Sequence, residues 1–195
     1  MSMFASASAP LTPGRNLVLI GMMGVGKSAV GRRVAERLQR PFVDTDAKIE
    51  RETGRSVPEL FAEEGERGFR AHEAAVIRAL SSVRGQVISL GGGAVTDPAN
   101  VTNLRMSGDL VWLDASPEVI AMRVGDGSDR PMLAGVRDLK GHIRELSAAR
   151  REAYRKAATR RVDTTDRSLD DIVEEVLRFA RNQPGLLSRE EQAQL

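Results

Sequence analysis

Residues 21–28 read G-M-M-G-V-G-K-S, the spacing G-x-x-x-x-G-K-S, with which a loop cradles phosphate. Its glycines let backbone N–H groups turn inward onto phosphate oxygens, and the N-terminus of a following helix adds partial positive charge. Lys27 is then spaced to reach the outer phosphates and the Ser28 hydroxyl to ligate Mg²⁺. A second pattern, Asp44-Thr45-Asp46, carries two carboxylates one residue apart. One can accept a hydrogen bond from a Mg²⁺-bound water while the other orients an alcohol nucleophile and takes its proton. The plainer role for either is helix N-capping. A third, Gly91-Gly92-Gly93, exposes main chain on which a small ligand can pack, at an entropic cost that a simple turn need not carry. Residues 125–135 are glycine-rich and charged, as in a mobile surface loop. Arg130 within them is a candidate to close over a nucleotide, like an arginine finger supplied in cis.

These residues need a scaffold that brings loops together. Residues 16–20, N-L-V-L-I, form a short apolar run that predicts a buried strand before the glycine loop. Residues 29–39 follow as a helix, with Val30, Val34 and Leu38 on one face. Further strands are predicted at 41–43, 86–90 and 110–113, with a weaker one at 161–163. Helices are predicted at 47–52, 57–64, 69–83, 117–124, 141–158 and 169–181, with breaks at Gly54 and Gly65 and with Ser168 as N-cap of the last. Residues 94–109 carry no clear pattern. Strands alternating with helices predict an α/β fold with a parallel sheet covered on both faces. Such sheets bind ligands at the carboxyl ends of their strands, where the three loops above fall. The helix at 141–158 carries Arg144, Arg150, Arg151 and Arg155; Arg150 and Tyr154 are i,i+4 neighbours that can share a polar surface. His72 and His142 lack metal-ligand spacing and read as surface residues.

The 195 residues suffice for one sizeable domain. With 41% apolar and 29% charged residues the chain has a globular balance. Net charge is +2 and the basic residues are dispersed, so nucleic acid is not an expected partner. The chain has no cysteine, which removes disulfides and thiolate metal sites and fits the cytoplasm. No apolar run reaches the roughly 18 residues of a membrane span, so no membrane partner is expected. Residues 1–14 read as a disordered leader, 15–183 as a single domain and 184–195 as a flexible, solvated tail after Pro184-Gly185.

The sequence resembles the shikimate kinases over residues 16–180. The resemblance is carried by residues 21–28, Phe42 to Asp46 with Ile49-Glu50, Gly65-Glu66 with Phe69-Arg70 and Glu73, Ser89 to Gly93, Arg130 to Leu133, and Arg150 with Tyr154. It implies a three-layer P-loop fold, with a five-stranded parallel sheet in the order 2-3-1-4-5 and a short lid. It implies ATP-dependent phosphoryl transfer, with Mg²⁺, to the 3-hydroxyl of shikimate in aromatic amino-acid biosynthesis, by a monomeric enzyme.

By matching position, the resemblance assigns Asp46 to the shikimate hydroxyls as the better base candidate, and Asp44, with Ser28, to Mg²⁺ through water. Arg70 and Arg150 would grip the substrate carboxylate, with Glu73 holding Arg70. Gly91, Gly92 and Gly93 would contact the substrate through the Gly92 backbone, and Phe61 and Phe69 would wall the site. Gly24, Val25, Gly26, Lys27, Ser28 and Ala29 would hold the nucleotide, with Arg130 as lid arginine and Arg123 and Arg167 near the adenine. Ala29 stands where the family commonly has threonine, which removes one phosphate hydrogen bond. Planar, bidentate arginine suits a carboxylate substrate better than lysine does. Two alternatives remain at this level: a kinase for another polyol acid such as gluconate, and a P-loop nucleotide switch without kinase activity.

Overall fold

The structure, a computed structural model, describes residues 13–125, 131–133 and 136–195. The first strand, β1 (Asn16–Ile20), is buried along its whole length. It is followed by α1 (Lys27–Leu38), whose predicted face of Val30, Val34 and Leu38 is buried. Next come β2 (Phe42–Asp44), α2 (Thr45–Thr53), α3 (Val57–Ser81) and β3 (Val87–Ser89). The chain continues through α4 (Pro98–Ser107), β4 (Gly108–Asp114), α5 (Pro117–Val124), α6 (Leu139–Ala157), β5 (Arg160–Asp163), α7 (Leu169–Asn182) and α8 (Arg189–Gln194). The five strands form one sheet in the order β2-β3-β1-β4-β5, and every neighbouring pair is parallel. Leu19 and Asp44 both register with Ser89. The loops leaving β1, β2 and β3 therefore emerge side by side at one edge of the sheet. No helix among the described residues is long and apolar enough to cross a membrane.

Four features depart from the sequence reading. The two helices expected on either side of Gly65 are one element, α3, kinked where Gly65 takes φ 69° and ψ −178°. That left-handed backbone suits glycine, so the residue bends the helix rather than ending it. A capping box between Ser56 and Glu59 starts α3. Residues 98–107, which carried no pattern, are α4; only Asn100, Leu104 and Ser107 of it are buried, too few for a visible stripe.

The third and fourth departures are corrections at the two ends. Residues 184–195 are not a solvated tail: Leu186 and Leu187 are buried, and α8 docks through Glu191, whose carboxylate receives Arg40 Nε at 2.6 Å and Nη2 at 2.8 Å. Arg40 is itself buried and also donates to the carbonyls of Arg15 and Leu186. Its guanidinium thus ties both ends of the domain together, with Nε, Nη1 and Nη2 all engaged. At the other end, Gly14 belongs to the folded part. A Cβ there would meet the Leu186 carbonyl at 2.3 Å, and the Arg15 N–H donates to Gly185 O at 2.9 Å. Residues 1–12 of the expected leader lie outside the described residues.

Candidate active site

The three loops line one cavity of about 730 Å³. At its phosphate end, Gly21, Gly24 and Gly26 all have positive φ (139°, 75° and 95°). At Gly21 an added Cβ would also sit 2.1 Å from the Leu113 carbonyl. Gly26 is the N-cap of α1 and supplies no side-chain cap, which leaves the first helical N–H groups facing the cavity. This is an anion site by construction. Lys27 Nζ folds over the loop and donates to the carbonyls of Gly21 and Met22, each at 2.9 Å. Gly24, Gly26, Lys27, Ser28 and Ala29 line the cavity, whereas Val25 is buried behind it.

Asp44 caps α2 and also bonds the hydroxyl of Ser28. One carboxylate oxygen caps α2, accepting from the N–H groups of Asp46 and Ala47. The other accepts the Ser28 hydroxyl at 2.7 Å, and Ser89 Oγ stands 3.5 Å from that hydroxyl. The result is a small cluster of hard oxygens beside the phosphate loop, a donor set suited to Mg²⁺. Among the described residues there is no group of three or more His, Cys, Asp or Glu side chains fit to hold a metal.

The opposite end of the cavity gathers Asp46, Arg70, Glu73, Arg150 and residues 91–93. Arg70 Nη1 donates to Glu73 at 2.8 Å and Nη2 to Glu66 at 3.1 Å. Glu73 has no exposed side-chain surface. Burial pushes its carboxyl above the ordinary range, helped by the negative charge of Asp46 and opposed by Arg70 and Arg150. Arg70 is raised as well: its own partial burial lowers it, but the charges and hydrogen bonds of Glu73 and Glu66 outweigh that and hold it charged. Arg150, from α6, is 7% exposed. The 80 residues of sequence between Arg70 and Arg150 are thus closed by α3 and α6 meeting at one cavity. Phe61 and Phe69 pack with ring centroids 4.7 Å apart and planes tilted by 35°, and they form part of the wall.

The first and last glycines of the run have little room for anything larger. A Cβ on Gly91 would lie 2.7 Å from Glu73 Oε1 and 2.8 Å from Asp46 Oδ1, and one on Gly93 only 2.2 Å from Arg70 Nη2. The Gly91 N–H is fixed by Thr45 Oγ1 at 2.9 Å. The middle residue of the D-T-D element therefore anchors the glycine loop, a role that side-chain type alone does not announce.

The remaining predicted residues divide. Arg123 lines the cavity, anchored on Thr164 through its hydroxyl at 3.1 Å and carbonyl at 2.8 Å. Arg167 does not line it. Its guanidinium is engaged by Glu175 at 2.5 Å and by the carbonyls of Asp163 and Asp171. Arg130 and most of the 125–135 loop lie outside the described residues; Met132, inside them, lines the cavity. His72 pairs with Glu64 at 2.9 Å and His142 bonds the Met132 carbonyl, so neither faces a metal site.

Comparison with known proteins agrees with this geometry. The family model described as shikimate kinase matches residues 23–181. The chain is 50% identical to the shikimate kinase of Symbiobacterium thermophilum over 164 residues, 83% of this chain and 94% of that one. Its structure superposes on the shikimate kinase of Acinetobacter baumannii in complex with shikimate with a TM-score of 0.81, at 36% identity, covering 85% of this chain and 92% of that one. A gluconokinase from Sinorhizobium meliloti 1021 superposes with a TM-score of 0.53 at 21% identity, covering 87% and 95%; that likeness extends to the fold alone.

Proposed function

The chain belongs to the shikimate kinase family, kinases that move a phosphoryl group from ATP to shikimate, and we propose that its cavity does so with the following division of labour. The β- and γ-phosphates of ATP lie on residues 21–28, against the N-terminus of α1, with Lys27 leaving its loop carbonyls to meet the outer oxygens. Shikimate lies at the other end, its carboxylate between Arg70 and Arg150. Its ring rests on residues 91–93 and its 3-hydroxyl turns to Asp46. Asp46 orients that hydroxyl and accepts its proton as the oxygen bonds to the γ-phosphorus and the bond to ADP breaks. The products are shikimate 3-phosphate and ADP. Glu73 holds Arg70 at the angle this needs.

Ser28 and Asp44 fit Mg²⁺, which when bound neutralises charge on the phosphate oxygens. Arg123 stands at the adenine end with its guanidinium pinned to Thr164; the nucleotide roles of Arg130 and Arg167 rest on the resemblance alone. A monomer as the working unit rests on the family resemblance alone, and the cysteine-free composition fits the cytoplasm.

The observation that carries this reading is the convergence of Asp46, Arg70 and Arg150 on the glycine run, opposite a phosphate loop. A bare nucleotide switch has no use for that set. Coupled ADP release is the test, run with shikimate, with gluconate and with no acceptor. Release that depends on shikimate supports the reading; equal release without an acceptor, or with gluconate, overturns it.

A further inference from the structure

The floor of the acceptor end is main chain, and one side chain outside the cavity holds it. A Cβ at Gly92 would meet nothing closer than 3.5 Å, and Arg150 Nη1 is 3.6 Å away. Gly92 therefore lines the cavity next to an arginine, with ordinary contact distances around it. Among the described residues, the Gly91 N–H is taken by Thr45 Oγ1, and no backbone acceptor is seen for the N–H of Gly92 or Gly93. The Gly92 carbonyl, by contrast, is taken: it accepts the phenol O–H of Tyr154. A peptide unit is planar and trans. Gripping the Gly92 carbonyl fixes the Gly93 N–H on the opposite edge of the same plane.

Tyr154 is well placed to act as a fixed post. It lies one helical turn beyond Arg150 on α6, and its side chain is 2% exposed. Its ring stacks on Trp112 of β4, with centroids 5.7 Å apart and planes 19° from parallel. Arg151 and Arg161 in turn lie over the Trp112 ring at 5.7 and 5.3 Å. Burial pushes the phenol up to about 12, against the pull of Arg150, so the hydroxyl keeps the proton it donates throughout the neutral range. Sheet, tryptophan, tyrosine and glycine carbonyl form one continuous support.

We propose that Tyr154 is a positioning residue for the acceptor: its hydroxyl locks the Gly92 carbonyl and so sets the angle at which the Gly92–Gly93 backbone, together with Arg150, meets shikimate. This rests on the function proposed above. Shikimate recognition needs Tyr154 although the phenol never touches the reacting atoms. ATP recognition, at the far end of the cavity, does not.

Tyr154→Phe removes the hydroxyl and keeps the stacked ring. It should raise the shikimate KM roughly 3- to 10-fold, the worth of one neutral hydrogen bond, while kcat and the ATP KM stay within about twofold. A residue that only stabilised the fold would lower Tm and the active fraction and move neither KM. An unchanged shikimate KM, or an equal rise in both KM values, overturns the proposal.

A second measurement does not depend on that variant folding. The chain contains one tyrosine, so growth on 3-fluorotyrosine labels Tyr154 alone. Its ¹⁹F resonance should shift when shikimate saturates the protein and stay in place with ATP alone; no shift with bound shikimate overturns the proposal. Should wild type be inert toward shikimate, the proposal falls with the function. The ligand-free ¹³C carbonyl resonance of Gly92 then tells the two failures apart, because Tyr154→Phe moves it whenever the hydrogen bond exists.

Discussion

Replacing Gly93 by alanine displaces the Arg70 guanidinium at the acceptor end of the cavity. Gly93 has φ −99° and ψ −10°, a conformation open to any residue, so the new methyl strains no backbone. It does collide with Arg70: the added Cβ would sit 2.2 Å from Nη2, 2.6 Å from Cζ and 2.7 Å from Nη1, where ordinary contact begins at 3.4 Å. The guanidinium must retreat by about 1.2 Å, more than a 2.8 Å hydrogen bond to Glu73 can absorb and survive. Because the end of a flexible side chain moves, the cost to stability is small. The cost to recognition is the charge-assisted contact Arg70 makes to the substrate carboxylate, worth about 1.5–3 kcal/mol, or roughly 10- to 150-fold in shikimate KM. ATP binds on residues 21–28, away from Arg70, so its KM should change less than about twofold. Steady-state ADP release at varied shikimate and varied ATP reads both constants from one preparation, with Tm as the check on folding. A Gly93→Ala protein with a near wild-type shikimate KM would show that Arg70 does not grip the acceptor. An equal rise in both KM values would show that the cavity had been disturbed as a whole.

Other expectations follow from the same geometry. Asp46→Asn keeps the size of the side chain but removes its proton acceptor. It should lower kcat by about 10²–10⁴ with ATP affinity unchanged in equilibrium titration; lost ATP affinity with normal shikimate binding would assign Asp46 to the metal and nucleotide instead. Glu73→Gln tests the buried carboxyl. Since the folded protein raises this group above its ordinary 4.5, its stabilising contribution is full below that pH and is lost as pH rises through the raised value. The Tm of wild type minus that of Glu73→Gln should therefore shrink as pH climbs from 4.5; a widening gap would mean that Glu73 is lowered by Arg70. Arg40→Ala breaks a buried anchor with two bonds to Glu191. A loss of about 2–3 kcal/mol predicts a Tm lower by roughly 4–12 °C, with both KM values unmoved. A Tm within one degree of wild type would mean that α8 contributes nothing to stability.

The parts of the site legible in the sequence are those whose chemistry is local. The glycine loop, its lysine and its serine declare themselves because a cradle of N–H groups requires glycine at fixed offsets. The alternation of strand and helix gave the parallel sheet, while its order came from the family resemblance. What stayed hidden depends on contacts distant in sequence or on backbone groups. Asp44 looked like a choice between cap and metal ligand, because a sequence does not show that two oxygens of one carboxylate can serve Asp46 N–H and Ser28 Oγ at once. The tail looked solvated because its partner, Arg40, lies 151 residues away. Tyr154 showed its helical neighbour Arg150 but not the carbonyl of Gly92, which no side-chain pattern encodes. Residues 98–107 bury too few apolar groups for periodicity to reveal α4. Gly65 was read as a stop because glycine usually breaks a helix, whereas here it supplies the single kink.

Recognition of the acceptor's carboxylate by Arg150 and Arg70 can be measured without reference to any other residue. The ratio of kcat/KM for shikimate to that for its neutral carboxamide should be determined for wild type and for Arg150→Ala. The wild-type ratio should be large, and removal of one charge-assisted bond of about 1.5–3 kcal/mol should cut it by roughly 10- to 150-fold. Lysine at 150 should restore it only in part, lacking the planar fork. The same ratio in wild type and Arg150→Ala would contradict the assignment, because the guanidinium would then have no contact with the group it is held to recognise.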